Sequence, residues 1–336
     1  DEYALARTER KTGHGYTGFE TCADPGITLE QDLLRRDLTI NAMAETPAGE
    51  LIDPYGGEAD LEKGVLRHVS PAFAEDPVRI LRVARFAARF AHWGFRVAHG
   101  TNRLMRDMVN NGEVDHLVPE RVWAELLKAL AEKTPARFFA VLHGCGALAR
   151  LFPEIGPLYR ERSDGQHGHT GTVLPVLEQS AGCSEQAEVR FAALIRDICN
   201  HEADGFDLDR LAALCERLRV PNTFRELGGM ALQYCPQARS AAALDARQQL
   251  ELLESLDAFR RPERFSQFLQ VCAIEADTLQ ITDSSDVLGT ALATARSVDA
   301  SALQRQGHSG KALGDAIRQA RIEAIAMALQ AAGTPD

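Results

Sequence analysis

The chain has 336 residues, 45% apolar and 25% charged, enough for roughly two or three domains with real cores and too apolar for a disordered protein. No apolar run approaches the ~18–20 residues that span a bilayer. With no signal-peptide pattern either, a cytoplasmic protein with no membrane attachment is expected. The net charge of −11 argues against indiscriminate nucleic-acid binding. Charge is uneven, however: Arg79 to Arg106 holds seven arginines and no acidic residue. Such a stripe can bind phosphate in an acidic protein, because screening confines each charge to about 10 Å at moderate salt. Seven scattered cysteines (Cys22, Cys145, Cys183, Cys199, Cys215, Cys235, Cys272) make no CxxC pair, so reduced thiols are expected in place of a disulfide framework or zinc site.

In chain order, the run from Glu2 to Arg7 reads as a strand, and the glycine-rich stretch from Lys11 to Gly18 as a loop. A short helix is expected over Leu29 to Leu34, and Asp37 to Ala44 leads into a strand. Pro47-Ala48-Gly49 turns that strand back into Glu50 to Asp53 as a hairpin, and Val65 to Val69 is a further strand. From Pro77 onward helical periodicity dominates. The expected helices cover Pro77 to Ala91, Pro119 to Glu132, Pro135 to Leu142, Glu188 to Ile198, Leu208 to Leu218, Gln248 to Leu256 and Lys311 to Gln330. Gly165 to Thr172 and Thr282 to Ser285 are the expected linkers. The fold class is α+β: a small α/β piece, then a long all-α region.

Two constellations carry chemistry. In Arg35-Arg36-Asp37-Leu38-Thr39-Ile40-Asn41, two guanidiniums can hold a triphosphate, while Asp37 and Asn41 suit ribose hydroxyls. A solvated run making a local ion pair is the competing reading. In Glu75-Asp76-Pro77-Val78-Arg79-Ile80-Leu81-Arg82-Val83-Ala84-Arg85-Phe86, Pro77 fits the first helical position. Arg79, Arg82, Arg85 and Arg89 share one face, and Ile80, Val83, Ala84, Ala87 and Phe90 line the other. Four like charges on a face repel unless anions lie opposite. Asp76 and Arg79 can read a base edge, the carboxylate accepting from an exocyclic amine and the guanidinium donating to ring acceptors. The alternative is that Asp76 caps the helix and the arginines are solvated.

RRDLTINAMA followed by EDPVRILRVARFAARF resembles the class II nucleotidyltransferases, which comprise CCA-adding enzymes and bacterial poly(A) polymerases. EYALARTERK, the TGxGYTGF loop, IDPYGG and PERVWAELLKAL resemble the bacterial CCA-adding branch. The resemblance implies a head over 1–70, a helical neck and body over 71–160, an HD-like helical domain over 161–280 and a helical tail over 281–336. It implies addition of CCA to tRNA 3′ ends from CTP and ATP with Mg²⁺, and no obligate protein partner. Arg36, Arg82 and Arg85 would contact the nucleotide, chiefly its phosphates. Asp37 and Asn41 would recognise the ribose, and Asp76 and Arg79 the base. Glu2 is similar to a third acidic position near the metal. In the family a D-x-D pair precedes the strand where this chain starts, so the chain is expected to be a fragment lacking it. Asp207-Leu208-Asp209 is read as a helix cap, not a replacement.

The HD-like region departs from its family pattern. Arg196 stands where a metal-binding histidine is expected, beside Asp197, with Val173 and Cys235 at outlying ligand positions. A cation cannot ligate a metal. His167 and His169 lie in a Gly-rich linker and are read as solvated. A poly(A) polymerase and a non-catalytic tRNA-binding remnant remain the alternatives. The C-terminal tail lacks the basic run that would favour the former.

Overall fold

A computed structural model describes residues 8–11, 19–22, 26–161, 172–199 and 207–332. Glu2, the strand expected before Thr8, most of the glycine-rich loop, His167 and His169 fall outside them. The chain divides into two compact units, Asp1–Arg190 with Ala212–Pro221, and Phe191–Leu211 with Asn222–Asp336.

The first unit opens with the antiparallel pair β1 (Thr8–Lys11) and β2 (Phe19–Cys22). Helix α1 (Leu29–Leu34) begins in a reciprocal cap: Gln31 N–H donates to Thr28 Oγ1 at 3.3 Å, and Thr28 N–H to Gln31 Oε1 at 3.0 Å. β3 (Ala44–Glu45) and β4 (Leu51–Ile52) form the expected hairpin. After α2 (Gly57–Glu62), β5 (Val65–Leu66) pairs in parallel with β6 (Arg96–Val97). The crossover between them is α3 (Val78–Phe90), the arginine-bearing helix. A parallel pair needs such a crossover, and here it ties the helix to the head.

Pairing of Leu38 with His68, and the bond from Thr39 N–H to the Arg67 carbonyl (2.9 Å), lay the RRD segment beside the strand that leads into α3. Thr39 Oγ1 donates to Asp60 Oδ2 at 2.8 Å, and Arg67 Nε donates to the same carboxylate at 2.9 Å. Gly57 packs so closely that a Cβ there would lie 2.3 Å from the Thr39 carbonyl oxygen. Asp53 caps α2 through the N–H groups of Gly57 (2.7 Å) and Glu58 (2.9 Å). IDPYGG is therefore the buttress of the RRD loop.

α3 packs on α5 (Pro119–Leu130) and α6 (Ala136–Cys145), with α4 (His99–Asn110) on α6. Ile80, Leu81 and Val83 are fully buried, each worth roughly 1.5–3 kcal/mol of transfer free energy. That apolar burial holds the helix down; its ion pairs fix its rotation. Phe138, Phe139 and Phe152 pack edge to face below it. The unit continues through α7 (Ala147–Leu151), α8 (Gly156–Glu161) and α9 (Pro175–Cys183).

The division falls within α10 (Ala187–Cys199) and α11 (Leu208–Leu218). Asp207 Oδ1 accepts from Arg210 N–H at 2.7 Å, the expected cap. The second unit adds α12 (Asn222–Arg239), α13 (Ala246–Ser255), α14 (Pro262–Leu279), α15 (Val287–Arg296), α16 (Ala300–Arg305) and α17 (Gly310–Ala332). No helix among the described residues is long and apolar enough to cross a membrane.

Candidate nucleotide site

Asp37 is the hub. Buried beneath the RRD loop, its Oδ2 accepts from Arg82 Nε at 2.7 Å, while Oδ1 accepts from Leu38 N–H (2.9 Å) and Asn41 Nδ2 (3.1 Å). One carboxylate thus joins three of the expected site residues across 45 positions of sequence. Arg36 donates to the Asn41 carbonyl at 3.2 Å and approaches Asp32 at 3.4 Å, yet 48% of its side chain is exposed. Arg82 keeps 38% of its side chain open. Both guanidiniums retain donor faces for an incoming polyanion.

Arg79 lies beside this hub. It donates to the Ala72 carbonyl at 2.8 Å and to the Arg35 carbonyl at 2.6 Å, bridging the loop before α3 to the RRD segment. Asp76 caps α3, accepting from Val78 N–H at 3.1 Å. It also holds Arg121 in a fork, with Nη1 to Oδ1 at 3.2 Å and Nη2 to Oδ2 at 2.8 Å.

Arg85 sits elsewhere. It is buried, donates from Nε to Glu125 Oε2 at 2.8 Å, and lies 4.4 Å over the Phe86 ring. Burial raises the Glu125 pKa, but hydrogen bonds from Lys128 and Arg85 more than offset this and hold the carboxyl below its ordinary range. Arg89 reaches Glu132 at 3.0 Å. The crowded arginine face is therefore neutralised by the protein's own anions: Asp37 for Arg82, Glu125 for Arg85, Glu132 for Arg89.

Sequence reasoning missed Arg121. Its signal was available: a cation in the first turn of α5 opposes the helix dipole and calls for an anion nearby. Among the described residues, no group of three or more His, Cys, Asp or Glu side chains could hold a metal ion. The Glu2 carboxylate, expected near the Mg²⁺ that the resemblance implies, lies outside the described residues.

In the second unit Arg196 is buried and fully engaged. It makes a very short ion pair to Glu275 and reaches the carbonyls of Ala231 (3.3 Å) and Leu232 (3.4 Å). Arg239 holds the other Glu275 oxygen at 2.5 Å. Cys235 and Cys272 meet with their sulfurs 2.9 Å apart, and burial pushes the Cys272 thiol well above its ordinary range. An Arg–Glu–Arg cluster fills the neighbourhood of the expected metal position.

An α/β head and a crossover helix bearing arginines, joined through the Asp37 carboxylate and followed by a helical region, form an arrangement suited to a polyanionic ligand. The family described as the Poly A polymerase head domain matches residues 2–67, and the one described as the probable RNA and SrmB-binding site of polymerase A matches 94–158. The multifunctional CCA protein of Thioalkalivibrio sulfidiphilus is 51% identical, over 97% of this chain and 84% of that one. Among solved structures, a CCA-adding enzyme in apo form II aligns with a TM-score of 0.60 at 22% identity, over 98% of this chain and 76% of that one. The Thermotoga maritima CCA-adding enzyme complexed with tRNA aligns at 0.54 and 23%, over 91% and 74%; further neighbours are complexes with ATP or CTP. The chain belongs to the multifunctional CCA proteins, a nucleotidyltransferase family.

Proposed function

We propose that the protein containing this chain completes the 3′-CCA end of tRNA from CTP and ATP without a nucleic-acid template. Arg36 and Arg82 take the triphosphate, Asp37 and Asn41 the ribose, and Asp76 with Arg79 the base. The observation that carries the reading is the Asp37–Arg82 ion pair, which brings the two motifs to one place. Cytosine and adenine both present an exocyclic amine beside a ring-nitrogen acceptor, whereas uracil and guanine present a carbonyl there. A carboxylate–guanidinium pair therefore accepts the first two and is left facing like polarity by the others. Arg85, shielded by Glu125, serves in this reading to fix the rotation of α3. Mg²⁺ accompanies the incoming triphosphate, whose charge it neutralises.

The test is to incubate the full gene product with tRNA lacking CCA and labelled CTP or ATP. Addition of two C and one A, then arrest, is expected. Long A tracts would point to a poly(A) polymerase, and binding without incorporation to a tRNA-binding remnant; either sinks the proposal. Asp76→Ala and Arg79→Ala should blur CTP and ATP against UTP and GTP more than they weaken triphosphate binding, and Arg36→Ala should do the reverse.

A further inference from the structure

Trp93 is the most exposed large apolar side chain among the described residues, 64% open to solvent. It ends an aromatic stripe that begins at the nucleotide site. The Arg82 guanidinium lies 5.9 Å from the Phe86 ring centre, Phe86 stacks on Phe90 at 5.9 Å and 13°, and Phe90 stacks on Trp93 at 5.8 Å and 19°. Spacings of four, four and three keep these residues on one side of α3 and the short 3₁₀ turn after it, so Phe90, expected opposite the arginines, lies at the border between the two faces. Phe95 closes on Phe90 at 5.2 Å and braces the stripe from beneath, while His92 tilts against Trp93 at 4.3 Å. A tryptophan offers about 150–250 Å² for burial, so holding one open and braced forgoes stabilisation that the core would otherwise gain.

Cations lie close to it in the chain and on the strand segment paired beside it. Arg96 is exposed, and its N–H bond to the Gly64 carbonyl (2.9 Å) brings exposed Lys63 alongside. Arg89 is half exposed although it also engages Glu132. Exposed Glu62 is the nearby acidic residue next to Lys63 in sequence. An open aromatic face among cations is the chemistry of single-stranded nucleic-acid grooves: the ring stacks any base and the cations follow the backbone. Trp93 lies eleven residues past Arg82, about 18 Å along α3 and the 3₁₀ turn after it, within reach of an RNA end lying at the nucleotide site. The segment matched to a probable RNA-binding family begins at residue 94.

We propose that Trp93 is a stacking platform for an unpaired base of the RNA substrate, with Lys63 and Arg96 contacting the flanking phosphates. This rests on the reading that the chain extends an RNA 3′ end, since binding a nucleotide alone would not require the platform.

The chain has two tryptophans, and Trp123 is only 9% exposed, so changes in emission report on Trp93. Titration with tRNA lacking CCA should quench wild-type fluorescence. Trp93→Phe should lose the quenching and keep most of the affinity. Trp93→Ala should weaken tRNA binding roughly 5- to 150-fold, as loss of one stacked base does, and leave CTP affinity unchanged. Arg96→Ala should lower the slope of log affinity against log salt by about one. Wild-type tRNA affinity in Trp93→Ala would overturn the platform while leaving the polymerase reading intact. So would emission that shifts with protein concentration and ignores RNA, which would mark the face as a contact between copies. Failure of the wild type to bind tRNA would instead refute the RNA-extension reading, and the platform with it.

Discussion

Arg121→Ala isolates what holds in place the Asp76 carboxylate, proposed above to read the base. Asp76 has three donors, two from the Arg121 fork and one from Val78 N–H at the start of α3. The substitution removes the fork and leaves the cap bond, so the carboxylate stays on the helix but swings more freely about its side chain. The pair is partly exposed, with 28% of the Arg121 side chain and 22% of Asp76 open, so solvent discounts its contribution to stability to about 1 kcal/mol. A correctly aimed base contact is worth about 1–3 kcal/mol of discrimination, or roughly 5- to 150-fold. With the cap bond retained, the loss should fall at the lower end, near tenfold in kcat/KM for CTP and ATP over UTP and GTP. Arg121→Lys restores the charge without the planar fork and should recover only part of that selectivity. The assay is single-nucleotide incorporation with each triphosphate in turn, beside a urea melt to confirm a small stability change. Full selectivity in Arg121→Ala, with selectivity lost in Asp76→Ala, would show that Arg121 does not position the carboxylate. Full selectivity in both would reduce Asp76 to a helix cap.

Three further outcomes follow from other parts of the structure. Arg196→Ala leaves Glu275 buried with only Arg239 opposite and should cost about 3 kcal/mol, the lower end for breaking a buried pair; a shift below ~1 kcal/mol in urea unfolding followed by circular dichroism would contradict this. The same residue stands where a metal-binding histidine is expected and is engaged by Glu275, so Ni²⁺- or Mg²⁺-dependent hydrolysis of 2′,3′-cyclic phosphates should be absent, and activity abolished by Asp197→Ala would refute that. Burial first, then Arg67, holds His68 below its ordinary value of 6.5, and Thr101 Oγ1 lies 2.8 Å from its Nδ1. The unfolded chain therefore binds the proton at a higher pH than the folded one, so stability should fall as pH drops from about 6.5 toward the folded value and level off below it. His68→Gln should flatten that part of the urea-midpoint profile; an unchanged slope would assign it to another group.

What could be read from the sequence, and what could not, divides along a physical line. Several elements whose ends carry their own chemistry were legible, although α9 and α14, which open on Pro175 and Pro262, were not expected. Thr28 and Gln31 frame α1, Pro119 opens α5, Asp207 opens α11, and the Pro47-Ala48-Gly49 turn closes the hairpin. Elements whose interiors argue against themselves were not. α12 carries Gly228, Gly229 and Pro236 within its span, and α4 opens on His99, Gly100 and Thr101, so propensity opposed helices that tertiary packing imposes. The site divides in the same way. Helical spacing places Arg79, Arg82, Arg85 and Arg89 on one face and demands anions opposite, but spacing reports only on its own helix. The anions come from 40 to 45 positions away: Glu125 to Arg85, Glu132 to Arg89, and Asp37 to Arg82. Which arginine stays open to a nucleotide depends on which carboxylate the fold delivers to its neighbour, and that is settled by the β5–β6 crossover and the seat of Gly57 against Thr39. Arg82 and Arg85 are alike in sequence and three residues apart. The fold leaves the first partly open and seals the second, so which guanidinium can meet a ligand is a property of packing that no local motif encodes.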